Sequence, residues 1–261
     1  MTRPLCFLAS RAEPAAADAE YASVLTHTGL GPEQLVRVRL DQGARPGPLT
    51  GYAGVILGGS PFTASTPEAD KSSIQHQVED TLADLLDEVV AEDVPFLGLC
   101  YGIGVVGRWG GGVVDGRFAE DTAAVTISLT DEGRTDPLLA GMPGQFQAYV
   151  GHKEACTELP RGAVVLATSS ACPVQMYRFA PRAYVTQFHP EMDAEAVRLR
   201  IEVYAHAGYF PPDEVAAVIE RTARADVTPA HQVLRAFADL AAAAGPGVTR
   251  RDVSPGTPRS R

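Results

Sequence analysis

The stretch Val94-Pro95-Phe96-Leu97-Gly98-Leu99-Cys100-Tyr101-Gly102 constrains this chain more than any other. A short apolar run ends at a cysteine set between two glycines, and a segment compatible with a helix, Tyr101 to Trp109, follows. This is the layout of a nucleophile elbow, Gly-x-nucleophile-x-Gly on a strand-turn-helix, with Cys in the nucleophile's place. Small residues on either side let the backbone bend tightly. The turn lifts the sulfur above the edge of a sheet, and the positive end of the following helix favours the reactive thiolate. Cysteine also serves widely as a small buried apolar residue. The motif therefore acquires meaning only if a base stands elsewhere in the chain.

The segments before the elbow alternate. Leu5 to Ala9 reads as a buried strand, Ala15 to Thr28 as a helix ended by Gly29, and Gln34 to Leu40 as a second strand. After a loop rich in Gly and Pro, Gly54 to Leu57 is a third strand. Lys71 to Ala91 is an amphipathic helix with Ile74, Val78, Leu82, Leu85, Leu86 and Val89 at helical spacing. The alternation predicts an α/β fold with a mostly parallel central sheet flanked by helices. Beyond the elbow the strands come closer together: Ala123–Leu129, Gln145–Val150, Val164–Ala167, Val174–Phe179 and Ala183–Phe188. These suggest added antiparallel strands, with a short helical turn at Asp136-Pro137-Leu138-Leu139. Helices are expected over Asp193–Ala207, Pro211–Ala225 and Pro229–Ala244, the last two with Pro in the first turn. This divides the chain into a main domain over 1–207, a helical extension over 208–244 and a disordered Gly/Pro/Ser/Arg tail over 245–261.

Composition narrows the function classes. With 261 residues there is room for one large α/β domain and a small appendage. The net charge of -10, from 22 basic and 32 acidic residues, argues against nucleic-acid binding, which draws on Lys and Arg. The cysteines, Cys6, Cys100, Cys156 and Cys172, form no C-x-x-C pair, so no metal site is expected, and they are too sparse for a disulfide scaffold. The N-terminal apolar run is too short for a signal peptide and no run approaches a membrane span, which predicts a cytoplasmic chain that does not bind membranes.

Two further segments carry chemistry. Gly58-Gly59-Ser60-Pro61 follows the third strand, at the end of a strand where open α/β sheets bind ligands, and its N–H groups could hold an oxyanion. Taken alone, the segment is better explained as a plain tight turn. In Gln187-Phe188-His189-Pro190-Glu191, His189 and Glu191 lie two apart, so in an extended segment both point to one side. Pro190 biases His189 toward that conformation. A carboxylate beside an imidazole fixes its tautomer, and the imidazole then takes a thiol proton, the logic of a nucleophile–base–orienter triad. A surface His and a helix-capping acid is the alternative, weakened by the presence of the Cys100 elbow.

With Gly98-Leu99-Cys100-Tyr101-Gly102, Gln187-Phe188-His189-Pro190-Glu191 and Gly58-Gly59-Ser60-Pro61 in this order, the chain resembles the triad-type class I glutamine amidotransferases over about Leu5 to Ala207. Within them it is similar to free-standing proteins like the amidotransferase domain of GMP synthase, as Val150-Gly151-His152-Lys153-Glu154 and Cys172-Pro173-Val174-Gln175 also suggest. The resemblance implies that Cys100 attacks the side-chain amide of glutamine, that His189 is the base and Glu191 its orienter. It also implies that Tyr101 and either Gly59 or Ser60 supply backbone donors to the oxyanion, and that Gly151 and His152 belong to the glutamine pocket with Gly104. No cofactor is implied. Gly104 departs from the family, which usually has Gln there, so the pocket is expected to bind glutamine more weakly or to have room for another γ-glutamyl compound. The segment after Ala207 is too short for an ATP-activating domain, so ammonia used in synthesis would go to a separate ammonia-accepting synthetase. Two other functions compete: a γ-glutamyl peptide or conjugate hydrolase, and a regulatory or binding subunit with weak catalysis.

Overall fold

The computed structural model describes residues 3–207 and 212–244; the tail predicted over 245–261 lies outside the described residues. The strands are β1 (Leu5–Ala9), β2 (Leu35–Arg39), β3 (Gly54–Leu57), β4 (Phe96–Leu99), β5 (Val113–Asp115), β6 (Glu120–Leu129), β7 (Gln145–His152), β8 (Ala155–Glu158), β9 (Val164–Thr168), β10 (Met176–Ala180) and β11 (Ala183–Thr186). The α-helices are α1 (Pro14–Thr28), α2 (Ser73–Ala91), α3 (Tyr101–Trp109), α4 (Asp131–Thr135), α5 (Ala194–Val203), α6 (Val215–Thr222) and α7 (Thr228–Ala243). Nine strands form one sheet in the order β2-β1-β3-β4-β11-β10-β9-β6-β7. The pairs from β2 through to β11 are parallel, and those from β11 to β7 are antiparallel.

The parallel half follows from composition. β1, β3, β4 and β11 are buried at every residue, as unbroken apolar runs are when helices cover both faces of a sheet. One apolar cluster joins Leu5, Phe7 and Ala9 of β1 to Val24 of α1 and to Val233, Leu234 and Phe237 of α7. The other joins Cys6 and Leu8 to Val78, Leu82, Leu85 and Val89 of α2 and to Ile103 and Val106 of α3. Successive β1 residues thus face opposite layers, and α7 packs in the same core as the first strand. α2 starts where Ser72 Oγ caps the N–H of Gln75 at 3.1 Å. Ile74, assigned to the apolar face from its spacing, is 45% exposed because it stands in the first turn, beyond the reach of the sheet.

Several boundaries differ from those expected. β5 and β8 pair with each other as a separate antiparallel ribbon. Neither was foreseen, since three or four residues beside a glycine run carry too little periodicity. α6 begins only at Val215, after a single-turn 3-10 helix at Pro212–Glu214, and Pro211 lies outside the described residues. No described helix is long and apolar enough to cross a membrane.

Candidate active site

β3, β4 and β11 are parallel neighbours, so their C-terminal ends open side by side. Each delivers one of the three segments singled out from sequence: Gly58-Gly59-Ser60 after β3, Cys100 after β4 and His189-Pro190-Glu191 after β11. Cys100 sits at φ 47°, ψ -82°, a left-handed backbone that a non-glycine residue adopts only when its surroundings enforce it. The enforcement is visible. Its N–H donates to Thr186 O at 2.7 Å, and its carbonyl accepts from Ile103 N at 3.0 Å. Gly98 is required by close approach, since a Cβ there would lie 3.0 Å from Val185 Cγ1 and 3.1 Å from Gly102 Cα.

His189 is fixed at both ends. Its N–H donates to Tyr149 O on β7 at 2.9 Å, and Nδ1 lies 2.8 Å from Glu191 Oε1. The His189 ring and Cys100 line the same cleft. The His189 and Glu191 side chains are 5% and 1% exposed. Burial pulls the His189 titration down, but the charges of Glu191 and Cys100 and the hydrogen bonds to both outweigh it and carry it up to about 9. For Glu191 burial pushes upward; the imidazolium, its hydrogen bond and Arg200 prevail and hold the carboxyl well below its ordinary range. With Nδ1 committed to the carboxylate, Nε2 is left to exchange a proton with the sulfur. The other thiols are buried, which pushes Cys6 up to about 12 and Cys156 and Cys172 up to about 11, whereas Cys100 is partly exposed.

Behind His189 and Glu191 lies a charged cluster that the sequence reading missed. Glu20 of α1 is fully buried, and its Oε1 accepts from Gly59 N at 3.0 Å, Arg11 Nε at 3.2 Å and Arg200 Nη2 at 3.0 Å. The same Arg200 nitrogen is 3.9 Å from Glu191 Oε1. Gly59 N–H is therefore engaged by Glu20, while Ser60 and Tyr101 line a cleft together with Cys100. Tyr101 offers only its backbone there, because its hydroxyl donates to Glu79 Oε1 at 3.2 Å on α2. One signal for Glu20 was available: it is a carboxylate on the buried stripe Ala16, Ala17, Glu20, Val24, Thr28 of α1.

Two clefts meet at Cys100. The smaller, about 280 Å³, is lined by Ser60, Phe62, Tyr101, Gly151, His152, Glu154 and Gln187 among others. Gln187, also unforeseen, places its Nε2 4.0 Å from Cys100 Sγ. The larger, about 470 Å³, takes in His189, Val150, Met192, Val197 and Ile201. Gly104 lines neither cleft. The room expected beside it is occupied: a Cβ at Gly104 would lie 2.4 Å from Glu154 Oε1. That buried carboxylate accepts from Ala64 N at 2.8 Å and Ser65 N at 2.6 Å. The missing glutamine side chain is thus replaced by a carboxylate from the segment after β7, not by space.

His152 Nδ1 lies 2.9 Å from Glu154 O, and Nε2 lies 2.9 Å from Glu120 Oε2, which also accepts from Gln175 Nε2 at 2.6 Å. With Cys172, Glu120 and His152 present donor atoms within 4.8 Å of one another, the one such group found among the described residues. Both His152 nitrogens already face oxygen acceptors, and burial keeps the Cys172 thiol protonated. Of the group, His152 lines the smaller cleft and is held there by Glu120. On the far side of the triad segment, His231 Nδ1 of α7 lies 2.7 Å from Pro190 O, and its ring stacks on His27 at 3.6 Å.

The sequence model of the family described as Glutamine amidotransferase class-I matches residues 33–201. A GMP synthase [glutamine-hydrolyzing] subunit of Pyrococcus abyssi is 27% identical over 141 residues, covering 54% of this chain and 66% of that protein. GMP synthase [glutamine-hydrolyzing] of Petrotoga mobilis is 26% identical over 145 residues, covering 55% of this chain and 25% of that protein, so the matched stretch spans a quarter of its length. Among solved structures, a glutamine amidotransferase from Thermotoga maritima superimposes with a TM-score of 0.72 at 18% identity, covering 94% of this chain and 100% of that one. One from Methylobacillus flagellatus gives 0.67 at 18% identity, covering 91% and 94%. At this identity the structures show the same fold: a large mixed sheet flanked by helices.

Proposed function

Since the chain belongs to the class-I glutamine amidotransferases, we propose that it hydrolyses the side-chain amide of glutamine with Cys100 as nucleophile, His189 as base and Glu191 as orienter. The observation that carries this is a His189 held 2.8 Å from Glu191 Oε1 through Nδ1, lining one cleft with Cys100 at the open end of three adjacent parallel strands. The proton drawn from the thiol stays on His189 as the Cys100 sulfur attacks the amide carbon. Charge gathers on the carbonyl oxygen, where Ser60 N–H and Tyr101 N–H receive it; one such donor is typically worth about 3 kcal/mol of barrier. His189 returns the proton to the nitrogen, the C–N bond breaks, and ammonia leaves a γ-glutamyl thioester. Water, deprotonated by His189, then releases glutamate.

The Pyrococcus abyssi relative is named as one subunit of a GMP synthase, which supports a division of labour in which a separate synthetase accepts the ammonia. The test is direct. Purified protein is incubated with glutamine, and glutamate and ammonia are measured together. Equal release of both, abolished in Cys100→Ala, is expected; glutamate release that survives in Cys100→Ala would refute the mechanism.

A further inference from the structure

Resting on that assignment of roles, we propose that the protein also hydrolyses γ-glutamyl amides of small, uncharged, apolar amines, the amine portion lying in the larger of the two clefts. The two clefts divide the reaction between them. His189, which must hand the proton to the departing nitrogen, lines the larger cleft and is absent from the lining of the smaller. Tyr101, one of the two oxyanion donors, and Gln187 line the smaller cleft only. The acyl part of a substrate therefore lies on the Tyr101 side and the leaving group on the His189 side.

Ammonia does not use the space on that side. Besides His189 the cleft reaches Val197 and Ile201 of α5, and its space, about 470 Å³, includes open solvent at its mouth. Beyond His189 the cleft is lined by the apolar Val150, Met192, Val197 and Ile201, and by Thr122, Tyr204, Arg11 and Arg200, the two arginines being paired with Glu20. Each of the four apolar residues is at most 5% exposed, so they form a fixed wall and not a mobile rim. An alkyl group on the amide nitrogen would remove their remaining contact with water, each buried methylene contributing about 0.8 kcal/mol. The chemistry is unchanged and balanced. The Cys100 S–C bond forms and the C–N bond breaks. The thiol proton passes through His189 to the nitrogen, which leaves as a primary amine, and water hydrolyses the thioester to glutamate. The room for a larger substrate lies on the leaving-group side, while the acyl side beside Gly104 is filled by Glu154.

The test compares kcat/KM of the full chain for L-glutamine and for γ-L-glutamyl-isobutylamide, with glutamate as the common product. A value for the isobutylamide at or above that for glutamine is expected, and Ile201→Phe should lower the isobutylamide-to-glutamine ratio at least fivefold. Hydrolysis of glutamine with a lower kcat/KM for the isobutylamide overturns this inference and leaves the glutaminase assignment standing. Hydrolysis of neither, with no labelling of Cys100 by an electrophilic glutamine analogue, overturns both. The wild-type comparison decides the matter even if Ile201→Phe does not fold.

Discussion

Placing an alanine at Gly104 tests whether Glu154 truly replaces the glutamine of the family. Gly104 lies inside α3, where Gly→Ala normally stabilises by about 1 kcal/mol. Here the added Cβ would lie 2.4 Å from Glu154 Oε1, and the carboxylate must move. Moving it strips Ala64 N and Ser65 N of their acceptor. Each unsatisfied donor costs about 1–3 kcal/mol. The net expectation is a loss of roughly 1–5 kcal/mol once the helix propensity is subtracted. In a Glu154→Ala background only Ala64 Cβ, 3.1 Å from the added Cβ, still crowds it, so the same substitution should cost much less. Urea unfolding of the four proteins of this double-mutant cycle measures the difference, with a coupling of roughly 2–6 kcal/mol from the two donors. A Gly104→Ala protein as stable as its parent, or one equally destabilised with and without Glu154, would refute the packing argument. The same geometry predicts that Gly104→Gln does not improve glutamine turnover, because the new side chain has no vacancy to enter.

Other outcomes follow from the charges around Cys100. His189 titrates up to about 9 partly because of Cys100, so in Cys100→Ala its imidazole pKa, followed by NMR, should fall below that value. The stability from the raised His189 titration is fully present below its ordinary 6.5 and is lost as pH rises through about 9. That from the depressed Glu191 is present above its ordinary 4.5 and is lost as pH falls through its lowered titration. Thermal unfolding should therefore show highest Tm between these limits, with both slopes flattened in a His189→Asn/Glu191→Gln protein. Glu20→Gln removes the charge that holds Arg11, Arg200 and Gly59 N–H. It should lower kcat for glutamate release about tenfold or more with little change in KM, and a change confined to KM would count against a role at the oxyanion turn. Brief treatment of native protein with iodoacetamide should modify Cys100 alone, as read by peptide mass mapping, since Cys6, Cys156 and Cys172 are buried and held protonated.

The parallel half of the fold was legible because its strands are unbroken apolar runs separated by helical periodicity. The same physics that buries β4 and β11 on both faces makes them readable. Cys100, His189 and Glu191 were legible because each sits in a short motif whose residue types and spacing serve one chemistry. Glu20, Arg11 and Arg200 were not, for they come from α1, the loop before it and α5, and meet only through tertiary packing. Gly104 shows the limit of a motif read alone. The absence of a side chain suggested space, but the carboxylate that fills it comes from fifty residues further along, and no local pattern announces it. The pairing of β5 with β8 escaped for a similar reason: its strands are too short for periodicity to register.

The position of β11 also bears on how the chain must be made. Its hydrogen bonds join β4 on one side and β10 on the other, yet it is synthesised more than eighty residues after β4. A nascent chain that has emerged only through α3 therefore presents β4, Phe-Leu-Gly-Leu, as an uncovered edge with unpaired backbone groups, beside the Cys100 thiol and before the segment carrying His189 exists. The closing strand brings both the missing pairing partner and, three residues on, His189. Protection of the strand and the arrival of the proposed base are thus one event in folding, late in synthesis, and a chain cut short before residue 183 would carry an apolar, aggregation-prone edge and a sulfur without His189 together.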